Sequence, residues 1–205
     1  MALRLPLAAI QGYGTVLSHD GCTEEIQKAY GKSILENTER LQTMIENVLL
    51  LSELDLKETS MLKKEKVSLF EMAQMCVDEM QEYAAANDVT LTCEGEDREF
   101  LADPSMMQLV VYNLITNAIR YNKKGGKVQV TVSDVLEVKD TGVGMEQEQI
   151  AHIFDRFYKI HKDESRKKGG SGLGLAIVKD IIDLHDGEIQ VESAPGVGTS
   201  FRVRV

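Results

Sequence analysis

The chain has 205 residues, enough for one large domain or two small ones. Hydrophobic residues make up 43% of it and charged residues 27%, which is typical of a globular protein and not of a disordered one. Its 23 Lys and Arg against 33 Asp and Glu give a formal net charge of −10, without any long basic tract. We therefore expect no nucleic-acid partner, because attraction to a phosphate backbone needs clustered Lys and Arg.

We also expect neither a membrane span nor a disulfide scaffold. No apolar run approaches the roughly 18 residues that a membrane span needs, and the residues after Met1 do not resemble a signal peptide. The cysteines Cys22, Cys76 and Cys93 are far apart, odd in number and not spaced as metal-ligand pairs. Reduced thiols are typical of the cytoplasm, so we expect a cytoplasmic chain without membrane contact.

The first sixty residues predict a helical hairpin. Apolar residues recur at helical spacing on both sides of a predicted turn at 18–21. In the second helix the steps alternate between three and four, which is the seam of a helical bundle, through Ile34, Asn37, Leu41, Met44, Val48 and Leu51. Running from about Ile26 to about Leu54, that helix would be roughly 40 Å long.

A hairpin of this length cannot bury its apolar stripe alone. We expect two copies to form a homodimer through a four-helix bundle. The alternative is a seam that packs against the rest of the same chain. On this interpretation residues 1–60 are a dimerisation domain and residues 61–205 a second domain, with a charged linker at 57–66.

The second domain alternates between helical and strand patterns. Helices are predicted at 67–87, at 106–121 and after a glycine-rich segment at 169–174. Strands are predicted at 89–93, 127–133, 136–139, 188–192 and 200–205, with a turn-rich acidic stretch at 94–99. Elements in this order predict an α+β sandwich, in which one mostly antiparallel sheet carries helices on one face.

Two asparagines in the helix at 106–121 are the first candidate ligands. Asn113 and Asn117 lie four residues apart, so both amides project from one helix face. Amide oxygens are hard ligands that suit Mg²⁺, which usually keeps several waters and shares itself with substrate phosphates. The alternative is that both are solvated or capping residues.

An acidic residue followed by alternating glycines ends the strand at 136–139. In Asp140-Thr-Gly142-Val-Gly144 the carboxylate is fixed beside backbone that a ligand can approach closely. Asp140 can accept a hydrogen bond from an exocyclic amine such as that of adenine. The alternative is an ordinary turn, because Asp and Gly are also common turn residues.

A third element is the run Gly170-Ser-Gly172-Leu173-Gly174, which leads directly into an apolar helical face. Backbone N–H groups at a helix start, together with the helix dipole, form a site for phosphates. The run matches neither the Rossmann nor the Walker pattern. A flexible linker is the alternative.

The segment at 154–171 contains six Lys or Arg and three acidic residues, in a chain that is otherwise acidic. A long basic loop bounded by glycines is typical of a lid over a polyanion. The alternative is a loop that is merely solvated.

The four elements in this order resemble the N, G1, F and G2 boxes of sensor histidine kinases. The wider resemblance is to the nucleotide-binding fold that these kinases share with DNA gyrase B, Hsp90 and MutL. The hairpin is similar to the dimerisation and phosphotransfer domain of the same kinases, so the likeness covers almost the whole chain. It implies a core that binds ATP and Mg²⁺ and transfers phosphate to a histidine and then to a response-regulator receiver domain.

The resemblance assigns one set of residues to the metal and the phosphates. Asn117 would coordinate Mg²⁺, supported by Asn113, and Arg120 stands where the family often has a Lys that reaches the phosphates. Arg156 is a candidate for contact with the transferring γ-phosphate. The residues that would wrap the phosphates as the lid closes are Gly170, Gly172, Leu173 and Gly174.

A second set is assigned to the nucleoside. Asp140 would hold the adenine amine, while Gly142 and Gly144 would let the base approach. Tyr121 would lie against the adenine or the ribose. Thr199 would support the adenine through Asp140 or through a water.

The acceptor motif departs from the family pattern. The family has His-Glu-Leu-Arg-Thr-Pro-Leu, and this chain begins Met-Ala-Leu-Arg-Leu-Pro-Leu, so Met1 aligns with the acceptor histidine and Ala2 with its acidic neighbour. Methionine has no nucleophilic nitrogen, which excludes self-phosphorylation at that position. Leu5 replaces the residue that positions water for dephosphorylation, so phosphatase activity is left open. The other histidines, expected at the surface or at helix caps, are His19, His152, His161 and His185.

Two explanations of the acceptor position stay open, a shortened chain whose first residue falls on that position and a natural pseudokinase. The leading hypothesis is a kinase core that binds Mg²⁺ and ATP without labelling itself. One alternative is an ATP-hydrolysing relative, and another is a non-catalytic scaffold for a response regulator. Whether a longer protein is anchored in the inner membrane is also left open.

Overall fold

The structure, a computed structural model, describes residues 4–19, 22–55, 62–160 and 170–205. Predictions that concern residues 1–3, 20–21, 56–61 and 161–169 lie outside the described residues. These include the acceptor-aligned Met1 and Ala2, part of the predicted turn and linker, His161 and most of the basic loop. In the described residues, no helix combines the length and the apolar character that crossing a membrane requires.

Two antiparallel helices form the N-terminal hairpin. They are α1 (Arg4–Leu17) and α2 (Glu24–Asp55). Glu24 and Glu25 lie in the first turn of α2, where acidic side chains interact favourably with the helix dipole. The rings of Tyr13 and Tyr30 pack with their centroids 5.0 Å apart and join the two helices near the turn. The predicted hairpin is therefore present, and α2 is slightly longer than expected.

The predicted seam of α2 has two different environments. Met44 and Leu51 are buried, and Leu51 and Leu54 belong to the core of the second domain, so this end of the seam follows the intramolecular alternative. Val48 is exposed in the single chain, so its place in a seam between two copies stays a prediction. A different stripe of α2 is exposed along its length, at Leu35, Thr38, Gln42, Ile45 and Leu49.

The second domain is built on a five-stranded sheet. Its strands are β2 (Val89–Gly95), β4 (Gly126–Val132), β5 (Leu136–Asp140), β6 (Glu188–Ala194) and β7 (Gly198–Arg204). Their order is β2-β4-β5-β7-β6, with β2 and β4 parallel and the other neighbours antiparallel. The expected mostly antiparallel sheet is confirmed.

Helices cover one face of this sheet. They are α3 (Leu69–Ala86), α4 (Pro104–Arg120) and α6 (Gly174–Leu184), and a short helix, α5 (Gln147–Ile150), lies at one side. Buried and non-buried residues alternate along β4, so that one face packs on the helices and the other does not. The predicted two-layer arrangement is therefore present.

A two-stranded sheet, β1 (Glu65–Ser68) with β3 (Glu99–Ala102), was not predicted. The linker prediction was wrong at 65–66, because these residues belong to β1, and the turn-rich stretch at 94–99 contains the end of β2 and the start of β3.

Helix α3 begins at Leu69, two residues later than the predicted helix at 67–87. The reason is that Ser68 is its N-cap and accepts a hydrogen bond from the Glu71 N–H at 3.1 Å.

Helix α4 is fixed at the end opposite the candidate site. Asp103 is its N-cap, accepting from the Met106 N–H at 3.2 Å, and Pro104 follows at the first helical position. The backbone N–H of Asp103 donates to Nε2 of His185 at 3.0 Å, and Nδ1 of His185 lies 2.8 Å from the Ile181 carbonyl. His185 is the C-cap of α6, which confirms its predicted capping position, and it is buried, where it joins α4 to α6.

Candidate functional site

A cavity of about 360 Å³ lies between α2, α4, the end of β5 and the start of α6. Its size is within the range of small-molecule sites. Ten of the predicted site residues line it: Asn113, Asn117, Arg120, Tyr121, Asp140, Gly144, Gly170, Gly172, Gly174 and Thr199. Gly142, Leu173 and Arg156 do not line it. The motifs at three separate places in the sequence therefore meet in one cavity.

Asp140 is the buried acid of this cavity. It is the last residue of β5 and is only 8% exposed. Its Oδ1 accepts hydrogen bonds from the backbone N–H groups of Gly142, at 2.7 Å, and Thr199, at 3.3 Å. Burial raises the pKa of Asp140 to about 6, against the opposing effect of these two hydrogen bonds. Because both bonds end on Oδ1, Oδ2 is left as an acceptor for a ligand.

The glycines after Asp140 are required by packing inside the protein. A Cβ on Gly142 would lie 2.4 Å from the Tyr121 carbonyl oxygen. Gly144 has a φ of +66°, and its Cβ would lie 1.9 Å from the carbonyl oxygen of Ala194 in β6. The motif predicts glycines that admit a ligand, and the structure gives them a second role in seating the loop on the sheet.

One face of α4 presents amides and a guanidinium group to the cavity. The side-chain amide of Asn113 donates to the Leu109 carbonyl at 2.9 Å, which leaves its Oδ1 as an acceptor. Asn117 lies one turn further on, and its side chain has no hydrogen-bond partner in the described part of the chain. Nε of Arg120 is buried without a hydrogen-bond partner among the same residues. Buried polar atoms are rarely left unpaired, so this wall suits a polar ligand.

The start of α6 lies directly against this face. A Cβ on Gly174 would be 2.6 Å from Oδ1 of Asn113, and one on Gly170 would be 3.3 Å from the Tyr121 hydroxyl and 3.4 Å from Nη1 of Arg120. Gly172 adopts a φ of +76°, which favours glycine. Leu173, at the N-cap position of α6, is fully buried, so its side chain anchors the segment in the core.

Arg156 lies away from the cavity. Its guanidinium donates to Asp55 at the end of α2, at 2.9 and 2.6 Å, and to Asp180 on α6, at 3.2 Å. These carboxylates raise the pKa of Arg156 above its usual value. Lys159, a second cation in the described part of this segment, does line the cavity.

Sequence reasoning did not single out two groups of cavity residues. Lys159 entered it only as one of the basic residues of the loop, although it follows the aromatic pair Phe157 and Tyr158. No residue on the face of α2 that lines the cavity was predicted as a site residue, although Met44 was predicted as part of the seam: Arg40, Thr43, Met44 and Asn47. Their spacing is helical, but the local sequence contains no signal that distinguishes a face toward the second domain from a face toward α1.

A metal ion at this site would be coordinated by side-chain amide oxygens of the protein and by oxygens of the bound small molecule. Across the described ranges, no three His, Cys, Asp or Glu side chains are grouped as a metal site would need. Asn113 and Asn117 are hard oxygen donors on one helix face, which suits a cation that also binds phosphate. The cavity as a whole combines one acid with an unused acceptor and a wall of amides and cations. It suits a ligand with a donor group at one end and an anionic tail at the other.

Comparison with protein-family models gives two matches. The family described as "Histidine kinase-, DNA gyrase B-, and HSP90-like ATPase" matches residues 102–205. The family described as "His Kinase A (phospho-acceptor) domain" matches residues 2–57. Together they cover the hairpin and the part of the second domain that contains the cavity.

Curated relatives are sensor histidine kinases as well. The sensor histidine kinase RppB of Synechocystis is 38% identical over 81% of this chain, and the circadian input-output histidine kinase CikA of Synechococcus elongatus is 31% identical over 98%. The sensor protein kinase WalK of Staphylococcus epidermidis is 32% identical over 97%. This chain spans 38%, 28% and 34%, respectively, of the lengths of these relatives.

Solved structures share the fold over nearly the whole chain. Histidine kinase ThkA in complex with the response regulator protein TrrA has a TM-score of 0.78 at 24% identity, covering 98% of this chain and 57% of that one. Acinetobacter baumannii histidine kinase AdeS has a TM-score of 0.76 at 22% identity, covering 98% and 96%. With both family matches, these relatives and this fold, the chain belongs to the sensor histidine kinases of two-component systems, as a catalytic core made of a phospho-acceptor-type hairpin and an ATPase-type domain.

Proposed function

We propose that this core binds ATP with Mg²⁺ in the cavity between α2, α4 and α6, in the orientation set by Asp140 at one end and the α4 amides at the other. The observation that carries the proposal is the meeting of three unsatisfied polar features in one cavity. These are Oδ2 of Asp140, the side-chain amide of Asn117 and the buried Nε of Arg120. A purine nucleotide with a metal-bearing phosphate tail has groups that can pair with each of them.

The nucleoside end is the part around Asp140. Its carboxylate is fixed by the Gly142 and Thr199 N–H groups and can accept a hydrogen bond from the adenine amine. Tyr121 lines the cavity between the two ends, where it can lie against the base or the ribose. Apolar side chains line the same region and provide a surface for the flat base: Val143, Met145, Ile153, Leu175 and Phe201.

The phosphate end is the part between α4 and α6. Asn113 and Asn117 would hold Mg²⁺ by their amide oxygens, and Arg120 would pair with phosphate oxygens through the nitrogen that now lacks a partner among the described residues. The N-terminal amides of α6 follow the glycines and favour an anion. When bound, ATP supplies the γ-phosphoryl group, and phosphoryl transfer depends mainly on positioning and charge neutralisation.

Lys159 is a better candidate for the phosphates than Arg156 in this conformation. It lines the cavity, whereas Arg156 pairs with Asp55 and Asp180. A role of Arg156 at the γ-phosphate would require it to leave both acids. We therefore assign Arg156 to the contact between the domains and keep its phosphate role as a prediction for a different arrangement.

We further propose that this chain binds nucleotide without becoming phosphorylated at the acceptor-aligned position. Position 1 is a methionine, and the phospho-acceptor family match begins at residue 2. Incubation with γ-labelled ATP tests this proposal. We expect no acid-labile label, and such a label on this chain would contradict the alignment of Met1 with the acceptor.

Two partners are proposed from the family and from the exposed surface of α2. The apolar residues Leu35, Ile45 and Leu49 of the exposed stripe face solvent, and the stripe is long enough to pair with a second copy, so we propose the homodimeric four-helix bundle. The solved complex of histidine kinase ThkA with response regulator protein TrrA supports a receiver domain as the second partner. We place this core in the cytoplasm, where both ATP and receiver domains are found.

Calorimetric titration with ATP, with and without Mg²⁺, tests the proposed function. We expect binding by the unchanged chain, weaker binding without Mg²⁺, and loss of binding in Asp140→Asn, in which an amide replaces the carboxylate. The matched control is Asp183→Asn, since Asp183 is an exposed acid that pairs with Lys179 on the far part of α6. Binding that is equal in all three proteins would contradict the proposal. Steady release of phosphate would instead favour the ATP-hydrolysing relative.

A further inference from the structure

One face of the hairpin helix α2 forms a wall of the cavity. Arg40, Thr43, Met44 and Asn47 line it, at positions i, i+3, i+4 and i+7, which is a single helical face. Met44 is the buried residue of this face, at 5% exposure. The exposed stripe that would pair with a second copy lies on the opposite side of α2, so the two surfaces do not compete.

Arg40 is the charged residue of this cavity-facing surface. It is partly buried, and it makes no ion pair or hydrogen bond with any residue in the described ranges. Thr43 differs, because its hydroxyl already donates to the Glu39 carbonyl at 3.0 Å. An arginine that faces a cavity without an acidic partner is available to an anionic ligand.

The charge of the cavity wall also favours an anionic ligand. Of the residues that the structure describes, three cationic side chains line the cavity, Arg40, Arg120 and Lys159, and one acid does, Asp140. The wall is therefore positive in a chain whose formal net charge is −10. Two of these cations come from the second domain, and the third comes from the hairpin.

We propose that Arg40 of the hairpin is part of the nucleotide site and binds the phosphate tail of the nucleotide that the second domain holds. This inference rests on the proposed function and adds a residue from the other domain to it. Its consequence is that the hairpin helps the site to distinguish a triphosphate from a monophosphate. Arginine is suited to this role because its planar donors can pair with two phosphate oxygens at once.

Calorimetric titration of the whole chain with ATP and with AMP tests this role. For Arg40→Ala we expect ATP binding to weaken about tenfold, the size of one lost hydrogen bond to a charged group, and AMP binding to change less than about threefold. Arg40→Lys should recover part of the affinity, because it keeps the charge but not the paired donors. The matched control is Lys32→Ala, about two turns earlier on α2, which removes an exposed cation that pairs with Glu36 at 3.9 Å.

The outcomes separate this inference from the proposed function. If Arg40→Ala binds ATP as the unchanged chain does, while Asp140→Asn does not bind, the role of Arg40 is wrong and the nucleotide site stands. Equal weakening of ATP and AMP would also overturn the inference, because Arg40 would then not act on the phosphate tail. If the unchanged chain binds neither nucleotide, the proposed function fails and the role of Arg40 fails with it. Arg40→Gln, compared by circular dichroism, provides a second variant should Arg40→Ala fold poorly.

Discussion

Arg156 and Asp55 are 101 residues apart in the sequence and form a bidentate ion pair, with nitrogen–oxygen distances of 2.9 and 2.6 Å. Asp55 is the last residue of α2, and Arg156 also reaches Asp180 on α6 at 3.2 Å. The pair therefore ties the end of the hairpin to the second domain. The buried side chain of Leu51, one turn earlier on α2, belongs to the core of that domain.

We predict that this pair contributes a small, salt-dependent coupling between the domains. Its side chains are 41% and 53% exposed, so solvent screens the attraction. A double-mutant cycle with Arg156→Ala and Asp55→Ala, followed by urea unfolding, should give a coupling energy of about 0.5 kcal/mol at low salt. That energy should fall at molar salt concentrations.

The control for this cycle is Asp183→Ala, which removes an acid that pairs with Lys179 on α6. It should show no coupling to Arg156→Ala. A coupling energy between Asp55 and Arg156 that is zero at low salt would contradict the role assigned to the pair.

Asp140→Asn should stabilise the protein without nucleotide. Burial raises the pKa of Asp140 from 3.8 to about 6, so the folded state disfavours the ionised form. The stability that this group contributes is fully present below its unfolded pKa and is lost as the pH rises through about 6. The free energy of unfolding should fall by at most about 3 kcal/mol, since each pKa unit corresponds to about 1.4 kcal/mol.

Urea unfolding at several pH values on both sides of the pKa of Asp140 measures this effect. The difference in unfolding free energy between Asp140→Asn and the unchanged chain should grow as the pH rises through that pKa. A difference that does not depend on pH would show that the carboxylate carries no such cost. Nucleotide binding should follow the opposite trend and weaken as the pH falls through about 6, because the protonated acid has lost acceptor capacity.

Gly144→Ala should destabilise the protein much more than Gly196→Ala. Both glycines have a positive φ, +66° and +73°, which costs an alanine about 1 kcal/mol. Only at Gly144 would the new Cβ also meet the Ala194 carbonyl oxygen, at 1.9 Å, while nothing lies within 4 Å of the Cβ position at Gly196. We expect a loss of about 3 kcal/mol for Gly144→Ala and about 1 kcal/mol for Gly196→Ala. Similar losses from chemical denaturation would contradict the packing argument.

Leu49→Glu should dissociate the proposed dimer. Leu49 is 59% exposed in the single chain, in the same stripe as Leu35 and Ile45. Each dimer would bury two copies, so introducing a charge should raise the dissociation constant at least about a hundredfold. Analytical ultracentrifugation measures this change, with Lys32→Glu, outside the stripe, as the control. An unchanged dimer in Leu49→Glu would place the interface elsewhere.

Strands with a clear alternation of apolar and polar residues could be predicted from the sequence, and the two four-residue strands could not. The alternation at 127–133 and 136–139 located β4 and β5 to within about one residue, because the side chains of a sheet with one buried face repeat every second position. The short strands β1 and β3 contain too little alternation. Their pairing, such as Val67 with Phe100, is fixed by contacts between distant parts of the chain.

The same distinction applies to the site: residues in local motifs could be predicted, and residues placed by contacts distant in the sequence could not. Asp140, Asn113 and Asn117 were predicted because each belongs to a short motif whose geometry is local. The position of Arg156 depends on where α2 ends relative to α6, and this cannot be read from the residues around it. Arg40 was missed for the same reason, since the residues across the cavity from it lie in the other domain.

Asp140 is proposed to hold the base of a nucleotide whose metal-bearing tail lies between α4 and α6, and every other role assigned to the cavity depends on this one. A crystal structure of this chain with Mg²⁺ and a non-hydrolysable ATP analogue tests it most directly. We predict that the adenine amine lies about 3 Å from the Asp140 carboxylate, with the phosphates beside Asn117 and Arg120. A cavity that stays empty at saturating analogue, or an adenine that is bound away from Asp140, would contradict the claim.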